Sequence, residues 1–167
     1  NTLTTNEKYP FSTDELRNNL KHTFWILNRV NSAKALATLL RKHPVFKEYE
    51  IVVAAGDGKI DDMVVNEKSL DRVKKAIKEN DKTITLSVGQ LTTGVTIPEW
   101  SAVMMLSNME SPALYMQAAF RAQNPHKWVE NINGKEVLFQ KENAYVFDFS
   151  PERTLIIFDN FANDLNS

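Results

Sequence analysis

The sequence predicts an α/β fold with a mainly parallel sheet and helices on both faces. Short, continuously apolar runs alternate along the chain with longer segments whose apolar residues recur at helical spacing. Runs without polar alternation are typical of strands buried on both faces. Their alternation with helices is typical of parallel strand connections. In addition, Asn133-Gly134 between two short runs indicates a β-hairpin, which we expect as an insertion at the edge of the sheet.

The predicted strands are runs of aliphatic and aromatic residues bounded by polar or turn-forming residues. In the sheet they cover residues 23–27, 50–55, 83–88, 102–106 and 144–149, and in the hairpin 130–132 and 135–140. The third strand leads into a Gly-containing turn, and the fourth follows Pro98. Ligands of open α/β sheets bind where strands end, so we expect a binding site in this stretch.

The predicted helices are bounded by capping residues and prolines. They cover residues 14–21, 33–42, 69–78, a segment opened by Ser111-Pro112, and 152–165. Thr13 and Ser32 are expected N-caps, because their hydroxyls can accept from free backbone N–H groups. In the second helix, Leu36, Leu39 and Leu40 are expected on one buried face.

Composition limits the class of protein. The chain has 167 residues, 43% of them hydrophobic, and a formal net charge of −1, so no global basic field marks a nucleic-acid binder. It contains no cysteine, which excludes disulfides and Cys-type zinc sites and fits a cytoplasmic protein. No apolar run is long enough to cross a membrane.

The domain organisation expected from the sequence is simple. We expect a linker and a short helix over 1–22 and one domain over 23–167. Because the chain starts in polar sequence without Met, we also expect it to be a piece of a longer protein.

Several common kinds of site are absent from the sequence. It contains neither a Walker A loop nor a Gly-x-Gly-x-x-Gly motif after a strand. The three histidines are scattered, so we predict no metal site. Gly56-Asp57-Gly58-Lys59 is interpreted as a turn. Asp57-Gly58-Lys59 has the acidic-x-Lys pattern of some nuclease centres, but no convincing acidic partner precedes it, so a nuclease centre is not expected.

Two groups of residues remain as candidates for chemistry. Thr92-Thr93-Gly94 follows a strand, where hydroxyls and backbone N–H groups could hold phosphate oxygens, although a turn that needs glycine is an equal alternative. Gln117 and Arg121 are four residues apart and are expected on one helix face. Because Ala118-Ala119-Phe120 make that segment apolar, Arg121 should need a partner, and a phosphate would supply one.

These motifs resemble the C-terminal RecA-like domain of superfamily 2 helicases and translocases, and most closely the restriction subunits of type I and type III restriction enzymes. Residues 91–98, Leu-Thr-Thr-Gly-Val-Thr-Ile-Pro, look like motif V of that family, and residues 115–121, Tyr-Met-Gln-Ala-Ala-Phe-Arg, look like motif VI. Residues 24–31 look like motif IV. The resemblance covers about residues 23–125.

The resemblance implies roles for individual residues. Arg121 matches the motif VI arginine that approaches the γ-phosphate, and Gln117 matches its glutamine. Gly94 matches the motif V glycine. Implied nucleotide contacts are Gly94 and Thr96, and implied DNA contacts are Asn28, Arg29, Asn31, Ser32, Thr92 and Thr93. The chain departs from the pattern at Asn124, where a second arginine is common, and at Thr96, where an aspartate is common.

The implied function is that of a second motor domain in an ATP-dependent DNA translocase of a restriction system. ATP and Mg²⁺ would be held mainly by an N-terminal RecA-like domain of the same protein, and this chain would add Arg121. DNA is the implied partner, together with methyltransferase or specificity subunits. The alternative is a non-catalytic RecA-like module that binds protein or nucleic acid, which the departures at Thr96 and Asn124 favour.

Overall fold

A computed structural model describes residues 9–55, 62–89, 91 and 95–165. Its strands are β1 His22–Leu27, β2 Glu50–Ala55, β3 Thr83–Val88, β4 Ala102–Met105, β5 Lys127–Ile132, β6 Lys135–Gln140 and β7 Tyr145–Asp148. Its helices are α1 Asp14–Asn19, α2 Val30–Lys42, α3 Asp62–Glu79, α4 Pro112–Ala119 and α5 Pro151–Leu165.

Five strands form one parallel sheet in the order β2-β3-β1-β4-β7. Side chains alternate between its two faces, as the period of a strand requires. On one face, Phe24 and Val103 pack with residues of α3, α4 and α5. On the other, Trp25 and Met104 pack with residues of α2. The predicted fold class is therefore confirmed, with a mainly parallel sheet and helices on both faces.

The predicted hairpin is also confirmed, and it is longer than expected. Strands β5 and β6 pair antiparallel around Asn133 and Gly134, whose φ angles of 53° and 80° are those of a tight primed turn. The two strands form a sheet of their own instead of extending the edge of the main sheet, where β7 lies.

The start of α2 differs from the prediction. The helix begins at Val30 rather than after Ser32, and its N-cap is Arg29, which makes no side-chain capping bond. Its buried face consists of Ala33, Ala37 and Leu40, whereas Leu39 is 66% exposed. The packing of two small alanines against the sheet decides which side of the helix is buried, and leucine spacing alone did not reveal it.

Two other helices have different lengths from those predicted. Helix α1 ends at Asn19, two residues early, and the following Leu20 is buried in the core. Helix α3 is longer than the predicted 69–78 and covers Asp62–Glu79. Its expected apolar face is correct, because Val73 is buried and Leu70 and Ile77 pack against the same core.

The segment before β1 contributes an aromatic residue to the core. Phe11 is 1% exposed, and its ring lies 5.8 Å from that of Trp25, 5.1 Å from that of Phe46 and 5.7 Å from that of Tyr49. Edge and tilted contacts of this kind add to the gain from burying the rings. The four rings therefore fix the chain that enters β1 against the α2 face of the sheet.

Candidate functional site

The predicted loop after β1 lies at the carboxyl edge of the sheet. Only Asn28 and Arg29 separate β1 from α2, and Asn31 and Ser32 belong to the first turn of the helix. All four residues are exposed. The first turn of a helix presents backbone N–H groups without intrahelical partners, so this edge can accept an anion such as a phosphate.

The segment that resembles motif V begins with a sharp change of direction. After β3, Gly89 has a φ of 66°, and Leu91 has a φ of 58° although it is not a glycine. Leu91 is 1% exposed, so its burial stabilises a backbone conformation that costs roughly 1 kcal/mol or more for an L-residue. The predicted residues Thr92, Thr93 and Gly94 lie outside the described part of the chain.

The end of that segment is described from Val95 onwards. Val95 and Ile97 are buried, whereas Thr96 between them is exposed. The alternation leaves the Thr96 side chain on the surface next to a backbone that is fixed by its two neighbours.

Helix α4 positions the residues that resemble motif VI. Ser111 caps it by accepting from the backbone N–H of Leu114, and Pro112 occupies the first turn, as predicted. Tyr115, Met116, Ala118 and Ala119 are buried, which leaves Gln117 exposed on the opposite side.

The α-helix ends before it reaches Arg121. From Phe120 to Ala122 the chain tightens into a 3₁₀ turn, so Gln117 and Arg121 do not share the face of one continuous α-helix as expected. Phe120 is 50% exposed, so the apolar segment before Arg121 is not buried throughout. The expectation that one continuous α-helix carries both residues was therefore wrong at the helix end.

Arg121 is half-buried, and its guanidinium donates through Nη1 to the backbone carbonyl of Val95. Burial lowers the pKa of the guanidinium from its usual value. An arginine stays charged at neutral pH even so. The end of motif V and the end of motif VI are thus joined directly, and a permanent positive charge stands beside Thr96.

Asn124 occupies the place of the second motif VI arginine. Its side-chain amide lies 3.4 Å from the backbone carbonyl of Arg121 and donates to it. The residue therefore closes the 3₁₀ turn locally.

Lys141 is a residue of this region that the sequence did not single out. Its Nζ atom donates to three backbone carbonyls, those of Pro98 at 2.8 Å, Trp100 at 3.0 Å and Ala122 at 2.8 Å. Burial lowers the pKa of its ammonium, and Glu99 partly offsets that effect. Lys141 thereby ties the chain after motif V to the turn that carries Arg121. In sequence it stands between a glutamine and a glutamate, like any solvated lysine.

A cavity beside these residues lies at the other end of the sheet from residues 28–32. It has a volume of about 990 Å³, and Thr96, His22 and Lys141 line it. Its walls include the residues at the amino-terminal ends of β1, β4 and β7. The structure therefore places Thr96 near Arg121 but separates it from the predicted contacts at the carboxyl edge.

The described residues form neither a metal-ligand cluster nor a membrane-spanning helix. Across 9–55, 62–89 and 95–165, no three His, Asp or Glu side chains gather as metal ligands would. Among the helices described, none combines the length and apolarity needed to cross a bilayer.

The chain is similar to part of a restriction enzyme. No family model matches it. It is 33% identical over 148 residues to a Mycoplasma pneumoniae protein named "Putative type II restriction enzyme and methyltransferase RM.MpnORF110P C-terminus", a match that covers 85% of this chain and 19% of that protein. The chain thus spans about a fifth of the length of this relative.

Among solved structures, the chain is similar to "Mss116p DEAD-box helicase domain 2 bound to an RNA duplex". The TM-score is 0.48 and the sequence identity 15%, and the match covers 87% of this chain and 59% of that one. The named relative belongs to a restriction system, as the resemblance implies, and the parallel α/β fold is the fold class that the resemblance implies.

Proposed function

We propose that this chain is the second motor domain of an ATP-dependent DNA translocase in a restriction system. The observation that carries the proposal is the contact between Arg121 and the carbonyl of Val95, which holds the two matched motifs together. The restriction enzyme to which the chain is similar supports the setting. Methyltransferase or specificity subunits would then be its partners, and the cytoplasm its location.

In this proposal the nucleotide lies between this domain and an N-terminal RecA-like domain of the same protein. That domain would hold Mg²⁺ and most of the ATP, and Gly94 and Thr96 would add contacts from this side. Arg121 would place its planar, permanently charged group against the phosphoryl group that is transferred. An arginine in that position stabilises the transition-state charge and accelerates hydrolysis by about 10³-fold or more.

DNA would contact the carboxyl edge of the sheet through Asn28, Arg29, Asn31 and Ser32, and Thr92 and Thr93 are further proposed contacts. The exposure of the first four side chains and the free N–H groups at the start of α2 support phosphate contacts there. ATP binding and hydrolysis would strengthen and weaken these contacts with the DNA phosphates in turn, and the protein would thereby move along DNA.

The decisive experiment measures DNA-stimulated ATP hydrolysis by the full-length protein. Arg121→Ala should lower turnover by about 10³-fold and leave DNA affinity unchanged, because the arginine faces the nucleotide in this proposal. Arg121→Lys keeps a positive donor near Val95 but loses the planar fork, so it should remain folded and still hydrolyse slowly. Turnover at the wild-type rate in either variant rejects the role of Arg121. The 167-residue chain alone should hydrolyse no ATP.

The second candidate function is a non-catalytic module with the same fold. It is favoured by Asn124, which stands where a second arginine would be expected and instead closes the turn that contains Arg121. It is also favoured by the hydrogen bond from Arg121 to the carbonyl of Val95, because this contact gives the guanidinium a partner within the protein. Under this alternative, Arg121→Ala changes only stability, and the full-length protein shows no ATPase activity that depends on DNA.

A further inference from the structure

The cavity of about 990 Å³ is bounded by the β5–β6 hairpin and the amino-terminal edge of the main sheet. Of the predicted site residues that the structure describes, Thr96 lines it and Arg121, Gln117 and Asn28 do not. The volume exceeds what one planar ring needs. Of the described residues proposed to contact ATP or DNA, Thr96 alone lines the cavity, so its remaining walls have no role in those proposals.

Three aromatic rings form a continuous stack on the hairpin side of this cavity. The ring centres of His126 and Trp128 are 5.5 Å apart with an interplanar angle of 15°, and those of Trp128 and Phe139 are 5.7 Å apart with an angle of 17°. Trp128 and Phe139 are cross-strand partners on β5 and β6, so the pairing of the hairpin fixes the stack.

All three rings are half-buried and all three line the cavity. A half-buried ring stack that lines a cavity can be extended by another planar ring. Base–aromatic stacking of this kind is a common way for proteins to hold an unpaired nucleobase.

The polar groups of the wall favour an uncharged ring over a chain of phosphates. Four lysines and four acidic residues line the cavity, so their formal charges balance. Five side-chain amides also line it, among them Asn18, Asn143 and Gln140. Amides carry a donor and an acceptor side by side and can pair with the edge of a nucleobase.

We propose that this cavity binds a nucleobase, stacked on the ring system of Trp128 and paired at its edge by the surrounding amides. Arg121 does not line the cavity, and the aromatic rings and amides are not among the proposed ATP contacts, so the base site is additional to the proposed ATP site. A free nucleoside and an unpaired base within a DNA strand offer the same ring.

The test is equilibrium binding to the full-length protein by calorimetry, with free adenosine and a single-stranded DNA of twelve nucleotides as probes. Trp128→Ala should weaken binding of whichever probe occupies the cavity by about tenfold or more, the usual loss for one stacked base. Trp128→Phe keeps a ring in the stack and should bind within a few-fold of wild type. This second variant shows that the loss comes from stacking and not from a damaged hairpin.

Arg29→Ala is the matched control, because Arg29 lies at the other edge of the sheet. It should leave adenosine affinity unchanged and weaken only strand binding at the carboxyl edge. Adenosine binding that depends on Trp128 identifies a free-nucleoside site, and Trp128-dependent binding of the strand alone identifies a base within DNA. The proposal is overturned if neither probe binds the wild type at millimolar concentration, or if Trp128→Ala binds both as tightly as wild type. The ATPase activity of Arg121→Ala tests only the proposed motor function, and base binding by the Trp128 variants tests only the proposed base site. Either proposal can therefore be rejected without the other.

Discussion

The guanidinium of Arg121 and the backbone carbonyl of Val95 are joined by a hydrogen bond across 26 residues of sequence. Val95 is buried, and Arg121 is half-buried in a 3₁₀ turn that Asn124 closes. The contact therefore has a structural consequence that is independent of any nucleotide: it fixes the end of motif V against the end of motif VI.

Replacing Arg121 by methionine should destabilise the chain by about 1 to 3 kcal/mol, because the carbonyl of Val95 would lose a charged donor. Urea unfolding of the chain, followed by circular dichroism, measures the change. Gln117→Met is the matched control, since Gln117 is exposed one turn earlier on α4, and it should change stability by less than about 0.5 kcal/mol. If Arg121→Met is as stable as wild type, the contact contributes nothing to folding.

Lys141 should contribute more to stability than its surface-like sequence context indicates. Lys141→Met removes the donor to Pro98, Trp100 and Ala122 at once, and we expect a loss of about 2 to 4 kcal/mol. Lys135→Met changes a lysine that is exposed at the other end of β6 and serves as the control in the same unfolding experiment. Equal midpoints for the two variants would show that the three contacts are not important for the fold.

The strands were predictable because burial on both faces of a parallel sheet leaves a local signature. β2 and β3 lie where their apolar runs predict, and Thr13 and Ser111 cap α1 and α4 through hydroxyls placed at the helix ends. The Asn133-Gly134 pair likewise specified its own turn. Each of these features depends on residues within a few positions of each other.

The remaining features depend on contacts between distant segments. The start of α2 was placed three residues late, because Ser32 is a favourable N-cap in isolation and packing of Ala33 and Ala37 set the helix instead. The roles of Lys141 and of the Arg121 turn arise from partners that are 19 to 43 residues away. A single sequence gives no signal for such pairs, so the site geometry could not be derived from it.

The pH dependence of stability should report on His22, at the amino-terminal edge of the sheet. Burial lowers its pKa to about 4, partly offset by the nearby carboxylates of Glu99 and Asp81, while Nδ1 lies 3.0 Å from Oγ1 of Thr83. The unfolded chain binds a proton at this histidine below about pH 6.5 and the folded chain only below about pH 4. Stability should therefore fall as the pH decreases from about 6.5 to 4, by about 2 to 3 kcal/mol from this group.

His22→Gln removes this titration while it keeps a polar side chain near Thr83. We expect the free energy of unfolding of the variant to fall less steeply than that of wild type between pH 7 and pH 4, with the two curves parallel above pH 7. Urea unfolding at half-unit pH intervals measures both curves. The two proteins differ at this position alone, so the difference between the curves isolates the histidine. Parallel curves over the whole range would mean that His22 takes up its proton equally well in the folded and unfolded chains.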